Sequence, residues 1–170
     1  MSNLSDPPNW NKKSVNISSE IQSELFELSR IGFENNLKSM ISESENLNYS
    51  ILGYGSGRLV VTSEKLPDKT VAKISRLPKG NMFNNNEAWT YEKTTEDEIR
   101  PYLTPVLQSD NGTGRWLIAT KCDSGNRNTV LELRKILDYY NVNYDKIELV
   151  KPNVGTYGDA PCIIDYDNLL

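Results

Sequence analysis

Three glycines fall within five residues at Gly53-Tyr54-Gly55-Ser56-Gly57, with apolar and β-branched residues on either side. Residues 49–52 and 58–62 read as strands, so the glycines mark the turn of a β-hairpin. Glycine leaves the backbone N–H groups of such a turn uncovered, and they can face phosphate oxygens at close range. The same residues also suit a plain tight turn.

The neighbouring elements extend this hairpin into a sheet. Residues 70–74 read as a third strand after a turn at Pro67-Asp68. Asn84-Asn85-Asn86 are expected to cap a helix that starts near Glu87 and runs through Tyr91 towards Ile99, with Pro101 and Pro105 limiting it. Residues 106–108 and 116–120 are strands, joined by the hairpin signal Ser109-Asp110-Asn111-Gly112-Thr113-Gly114. Upstream, Ser19-x-x-Gln22 opens a helical segment in which Ile21, Leu25, Leu28, Phe33, Leu37, Met40 and Ile41 recur at helical spacing. Gly32 is expected to divide it into two helices. Downstream, Thr129-x-x-Glu132 is expected to cap a helix with Val130, Leu133, Leu137 and Tyr140 as its apolar stripe. Residues 147–150, Pro152-Asn153-Val154-Gly155 and a strand-like 162–166 complete the chain. The order predicts an α+β fold with an antiparallel sheet of about five strands.

Candidate chemistry begins with Val71-Ala72-Lys73-Ile74. Strand alternation puts Val71 and Lys73 on one face, where a Lys must find an anion or reach water. Glu87 follows fourteen residues later at the expected helix start. It can pair with Lys73 from a helix beside the sheet, or simply complement the helix dipole.

These features in this order resemble the small lobe of protein kinases: a glycine-rich loop, a strand Lys in a V-A-I-K setting and a helical Glu that pairs with it. Here the loop is one residue shorter and the Lys motif reads Val-Ala-Lys-Ile. The resemblance implies that Gly53, Gly55, Ser56 and Gly57 cover the phosphates of ATP, that Lys73 holds them and that Glu87 orients Lys73. It makes Lys121-Cys122-Asp123-Ser124-Gly125 the hinge, with Cys122 beside the adenine.

The resemblance continues downstream. The family's catalytic loop carries an Asp base and, five positions on, an Asn that holds Mg²⁺. Glu148-Leu149-Val150-Lys151-Pro152-Asn153 keeps that spacing, which implies Asn153 as a metal ligand and Glu148 in the place of the base. Cys162-Ile163-Ile164-Asp165-Tyr166-Asp167 resembles the strand that delivers the D-F-G aspartate, which implies Asp165 as a second Mg²⁺ ligand. Departures accompany these matches. The His and Arg of H-R-D are replaced by Lys146 and Ile147, Glu stands where the family has Asp, and Asp167 replaces the D-F-G glycine. The expected organisation is an arm without structure at 1–17, N-terminal helices at 18–47, a kinase-like small lobe at 48–123 and a trimmed large lobe at 124–170.

Composition narrows the partners. The formal charge is −4 and the chain contains no histidine, which excludes Ser-His catalysis and His-ligated metals. An isoelectric point near 5.0 gives no electrostatic footprint for nucleic acid or an anionic membrane. The two cysteines, Cys122 and Cys162, read as reduced thiols of a cytoplasmic protein. Mean hydropathy is −0.57, and neither a leader segment nor a membrane span is expected. Leu25, Phe26, Leu28, Ile31 and Phe33 offer either core or a surface for a protein partner. Three readings remain open: an ATP- and Mg²⁺-binding, kinase-like domain with weak or absent phosphotransferase activity, an inactive pseudokinase-like interaction module, and a small α+β protein in which these features coincide by accident, with Lys73 and Glu87 on separate faces.

Overall fold

A computed structural model describes residues 4–11, 14–94, 99–110, 112–142, 149 and 151–166. The fold is α+β. Five strands, β1 (Ser50–Tyr54), β2 (Arg58–Thr62), β3 (Thr70–Ser75), β4 (Val106–Ser109) and β5 (Trp116–Thr120), form an antiparallel sheet in the order β1-β2-β3-β5-β4. This is the sheet the sequence order predicted, with β3 at its centre.

Helices α1 (Ser19–Glu34) and α2 (Leu37–Asn46) precede the sheet, and α3 (Pro78–Lys93) lies between β3 and β4 in the chain. The chain divides into two compact units. One comprises Ser14–Ala88 and Val106–Lys121 and holds the sheet; the other comprises Met1–Lys13, Trp89–Pro105 and Cys122–Leu170.

In the sheet unit, alternation sorts side chains between two faces. Leu59, Val61, Ala72, Ile74 and Ile118 join Leu25 and Leu28 of α1 and Met40 of α2 in the main core. Val71, Leu117 and Ala119 form a smaller apolar cluster with Val60 and with Ala88 of α3. Leu25 and Leu28 are therefore core residues. Phe26 is 46% exposed, and its ring and that of Phe33 lie 5.1 and 4.2 Å from the Arg115 guanidinium.

Helix boundaries differ from the sequence expectation in four places. Ser18, not Ser19, caps α1, its hydroxyl accepting from Ile21 N. Helix α1 runs through Gly32 and breaks at Asn35-Asn36. A Cβ on Gly32 would meet Arg76 Cβ and Met40 Sδ at 2.9 Å, so this glycine serves a close approach rather than a break. Helix α3 begins at Pro78, which suits a first turn because the missing N–H has no intrahelical acceptor there. Asn84, Asn85 and Asn86 are consequently interior and cap nothing.

The second unit contains β6 (Asp123–Ser124), α4 (Arg127–Tyr139), β7 (Val154–Tyr157) and β8 (Ala160–Ile163), with the strands in the order β6-β7-β8. Asn126 caps α4 in a capping box with Thr129, so Thr129 is the third helical residue and not the cap. Leu133, Ile136 and Leu137 are buried with Val154, Cys162 and Ile163. The strand expected at 162–166 ends at Ile163, and Tyr166 instead donates its hydroxyl to Thr104 O at 2.6 Å.

Residues 4–11 carry no helix or strand, yet make specific contacts. Trp10 Nε1 donates to Pro101 O at 2.9 Å, and its ring lies 4.8 Å from that of Tyr157. Ser5 O accepts from the Tyr102 hydroxyl at 2.7 Å. Among the described residues, no helix is long and apolar enough to cross a membrane.

Candidate functional site

The sheet unit brings Lys73 and Glu87 together. Lys73 is central in β3, paired with Val60 of β2 and Leu117 of β5. Its side chain shares the sheet face with Val71. Helix α3 covers that face, and Lys73 Nζ donates to Glu87 Oε2 at 2.8 Å. The two side chains are only 2% and 1% exposed, so the pair is held away from bulk water. Glu87 lies in the middle of α3, so it is not a first-turn residue complementing the helix dipole.

A stripe at helical spacing seats α3 on the sheet: Gly80, Asn84, Glu87 and Ala88. A Cβ on Gly80 would stand 2.0 Å from Gly57 O, and one on Gly57 would meet Gly80 N at 2.9 Å. Backbone therefore packs on backbone, and only glycine permits it. Asn84 Nδ2 donates to Lys73 O at 3.1 Å and to Gly114 O at 2.9 Å, tying the helix to β3 and to the turn before β5. Ala88 then reaches the Val71 cluster.

Arg58, which sequence reasoning missed, completes the arrangement. It opens β2 directly after the glycine-rich turn. Its Nη2 donates to Glu87 Oε1 at 3.3 Å and its Nη1 to Asn84 Oδ1 at 3.1 Å. The guanidinium also lies 5.8 Å from the centre of the Phe83 ring. The Glu87 carboxylate thus has one oxygen on Lys73 and the other on Arg58. An Arg beside a glycine-rich turn was the available signal, but nothing in its spacing marked it as buried.

The turn has two different parts. Gly57 is buried, and its carbonyl accepts from Arg76 N at 2.9 Å. Gly55 and Ser56 are exposed, and Cβ atoms added at Gly53 or Gly55 would meet nothing within 4 Å. Gly55 O accepts from Arg76 Nε at 3.2 Å and Nη2 at 2.9 Å.

In the second unit, Asn153 ends a single 3₁₀ turn before β7, and Asp165 follows β8. The Asn153 carbonyl accepts from Ile164 N at 2.8 Å and Asp165 N at 3.4 Å, which fixes the backbone of Asp165 against that of Asn153. An Asp carboxylate and an Asn amide oxygen are hard donors of the type Mg²⁺ takes, usually with waters and phosphate completing its shell. Among the described residues, no group of three or more Asp, Glu, Cys or His side chains is placed to hold a metal. Glu148 lies outside the described residues.

Cys122 is half-buried, with its Sγ 3.5 Å from Cys162 Sγ and 3.5 Å from Thr104 Oγ1. Neither cysteine forms a disulfide. The hydrogen bond to Cys122 together with burial pushes the Cys162 thiol far above the usual range.

No protein-family model matches the chain, and no curated protein matches it. Among solved structures, it is similar to the kinase domain of Mycobacterium tuberculosis PknI, at a TM-score of 0.40 and 14% identity over 71% of this chain. A double mutant of that kinase domain gives the same TM-score at 15% identity. The chain spans 60% of the length of those kinase domains.

Proposed function

We propose that this chain is a nucleotide-binding domain of kinase-like design that takes Mg·ATP. The observation that carries the reading is the buried Lys73–Glu87 pair, set between the central strand after a glycine-rich hairpin and the helix that follows it. A buried Lys is expensive unless it is paired, and one held ready for phosphate is a known use of such a pair. In this reading Lys73 binds the α/β-phosphates, Glu87 orients it, and the turn at Gly53, Gly55, Ser56 and Gly57 covers the phosphates, with the Gly55 amide closing the hairpin on Arg58 O at 3.0 Å. Asn153 and Asp165 are the Mg²⁺ ligands. The ion supplies charge neutralisation at the phosphates. Cys122 belongs to the segment assigned to the adenine, through backbone groups. Nucleotide and metal binding need none of the residues missing from the H-R-D motif, and the reading stops there. A proton acceptor at Glu148 would extend it to phosphoryl transfer.

The test is the thermal stability of the purified chain with and without Mg·ATP, beside Lys73→Ala and Asp165→Ala. Ligand at about 100 times its dissociation constant should stabilise the folded state by about 2.7 kcal/mol. A shift that needs Mg²⁺ and disappears in both variants supports the reading. No shift in the folded wild-type chain refutes it.

A further inference from the structure

We propose that Arg58 is a positioning residue for the nucleotide phosphates: it holds Glu87 in place while the Lys73 ammonium turns from the carboxylate to a polyphosphate oxygen. This inference rests on the nucleotide-binding reading and adds a residue to it.

Glu87 is 1% exposed, and its two oxygens are taken by two different cations. If Lys73 were its sole counter-ion, every move of Lys73 towards a phosphate would leave a buried carboxylate poorly compensated, at a cost that subtracts from ligand binding. The Arg58 contact on Oε1 removes that penalty, because it persists when Oε2 is released. Arg58 is itself held. Asn84 Oδ1 accepts from its second terminal nitrogen, and Asn84 is anchored by Lys73 O and Gly114 O. The planar fork of Arg makes both contacts at once, one to the carboxylate and one to the amide, which a Lys ammonium on a flexible stem reproduces only in part. Position matters as well. Arg58 follows Gly57 directly, and Gly57 packs on Gly80 of α3. The residue that clamps Glu87 is therefore continuous with the turn assigned to the phosphates, so the turn and the Lys73–Glu87 pair are set by one short stretch of backbone.

Binding of Mg·ATP and of adenosine to wild type, Arg58→Gln and Arg58→Lys, measured by calorimetry, separates this role from a merely structural one. Arg58→Gln keeps an amide donor for Asn84 and loses the charge on Glu87. We expect it to weaken Mg·ATP by about tenfold or more while adenosine changes less than about twofold, as suits a charged hydrogen bond that Glu87 needs most when phosphates draw Lys73 away. Arg58→Lys restores the charge without the fork and should recover only part of the Mg·ATP affinity, leaving a loss of about threefold that adenosine does not share. An equal loss for both ligands, or an unchanged Mg·ATP affinity, overturns the role of Arg58 and leaves the nucleotide reading standing. Wild type that binds no Mg·ATP overturns both. If circular dichroism shows that Arg58→Gln does not fold, Arg58→Lys decides. A loss confined to Mg·ATP supports the inference, and an equal change for both ligands, or none, overturns it.

Discussion

The shared carboxylate predicts an asymmetry between its partners that stability measurements can resolve. Replace Glu87 by Gln, and Lys73 and Arg58 both lose the carboxylate between them, deep in the sheet unit. Removing one member of a buried ion pair typically costs about 3–5 kcal/mol, because the remaining charge has given up its water. Replace Lys73 by Met, and Glu87 keeps Arg58 at 3.3 Å on its other oxygen. The loss is then closer to one charged hydrogen bond, about 1.5–3 kcal/mol. It is partly offset because Met is comfortable beside Val60, Val71 and Leu117. The expected difference is therefore about 1–2 kcal/mol, with Glu87→Gln the worse. The assay is urea unfolding followed by Trp116, which is buried in the sheet unit, in a background with Trp10→Phe and Trp89→Phe. With a slope near 2 kcal/mol/M, the midpoints of the two variants should differ by about 0.5–1 M. Equal midpoints, or a lower one for Lys73→Met, would refute the idea that Arg58 holds the carboxylate independently.

Other outcomes follow from the same geometry. Gly80→Ala should destabilise the sheet unit by about 1–3 kcal/mol or more, since its methyl would overlap Gly57 O, whereas Gly53→Ala should be neutral or slightly stabilising; parallel urea titrations check both. Thiol alkylation followed by mass spectrometry should modify half-buried Cys122 well before Cys162, whose thiol is buried and pushed upward, and equal rates would contradict the burial. Burial, with the hydrogen bond to Glu24, raises the Tyr49 phenol above its ordinary value. The folded state therefore favours the protonated ring, so this stabilisation is complete below about pH 10 and is lost as pH rises through the folded-state value. Denaturation midpoints measured from pH 8 upwards should fall beyond about pH 10 and fall less in Tyr49→Phe.

The sheet was legible because β-strands announce themselves locally. Residues 58–62 and 116–120 are dense in Val, Ile, Leu and Thr, and turn residues bound them. The count of five strands and the hairpins on either side followed from that and from short connections, whereas the pairing of β3 with β5, across α3 and β4 in the chain, had no local signal. Helix α3 was misplaced by eight or nine residues because its sheet-facing stripe is buried Gly80, Asn84 and Glu87 with partly buried Ala88, which gives no apolar period to find. Its three consecutive Asn residues read as a cap, and only tertiary partners reveal why two of them tolerate a helix interior: Asn84 bonds Lys73 O and Gly114 O, and Asn85 bonds Gly112 O. Caps Ser18 and Asn126 were each missed by a short distance because a neighbouring Ser or Thr offered a competing signal. Arg58 was invisible for a different reason. A charge next to a turn is usually solvated, and its burial depends on Glu87 and Asn84, which are more than twenty residues away in sequence.

The contact between Gly57 and Gly80 also sets where this protein can vary. Any side chain at either position would force the first turn of α3 off the sheet, and with it Asn84 and Glu87. Positions 53 to 56 face no such limit, since added Cβ atoms at Gly53 and Gly55 have open space and Tyr54 is already 64% exposed. A library built on this scaffold should therefore hold Gly57 and Gly80 constant and diversify the four residues before Gly57. Selection for binding of a chosen phosphorylated ligand would then act on the tip of the hairpin, while the arrangement of Arg58, Lys73 and Glu87 is inherited unchanged.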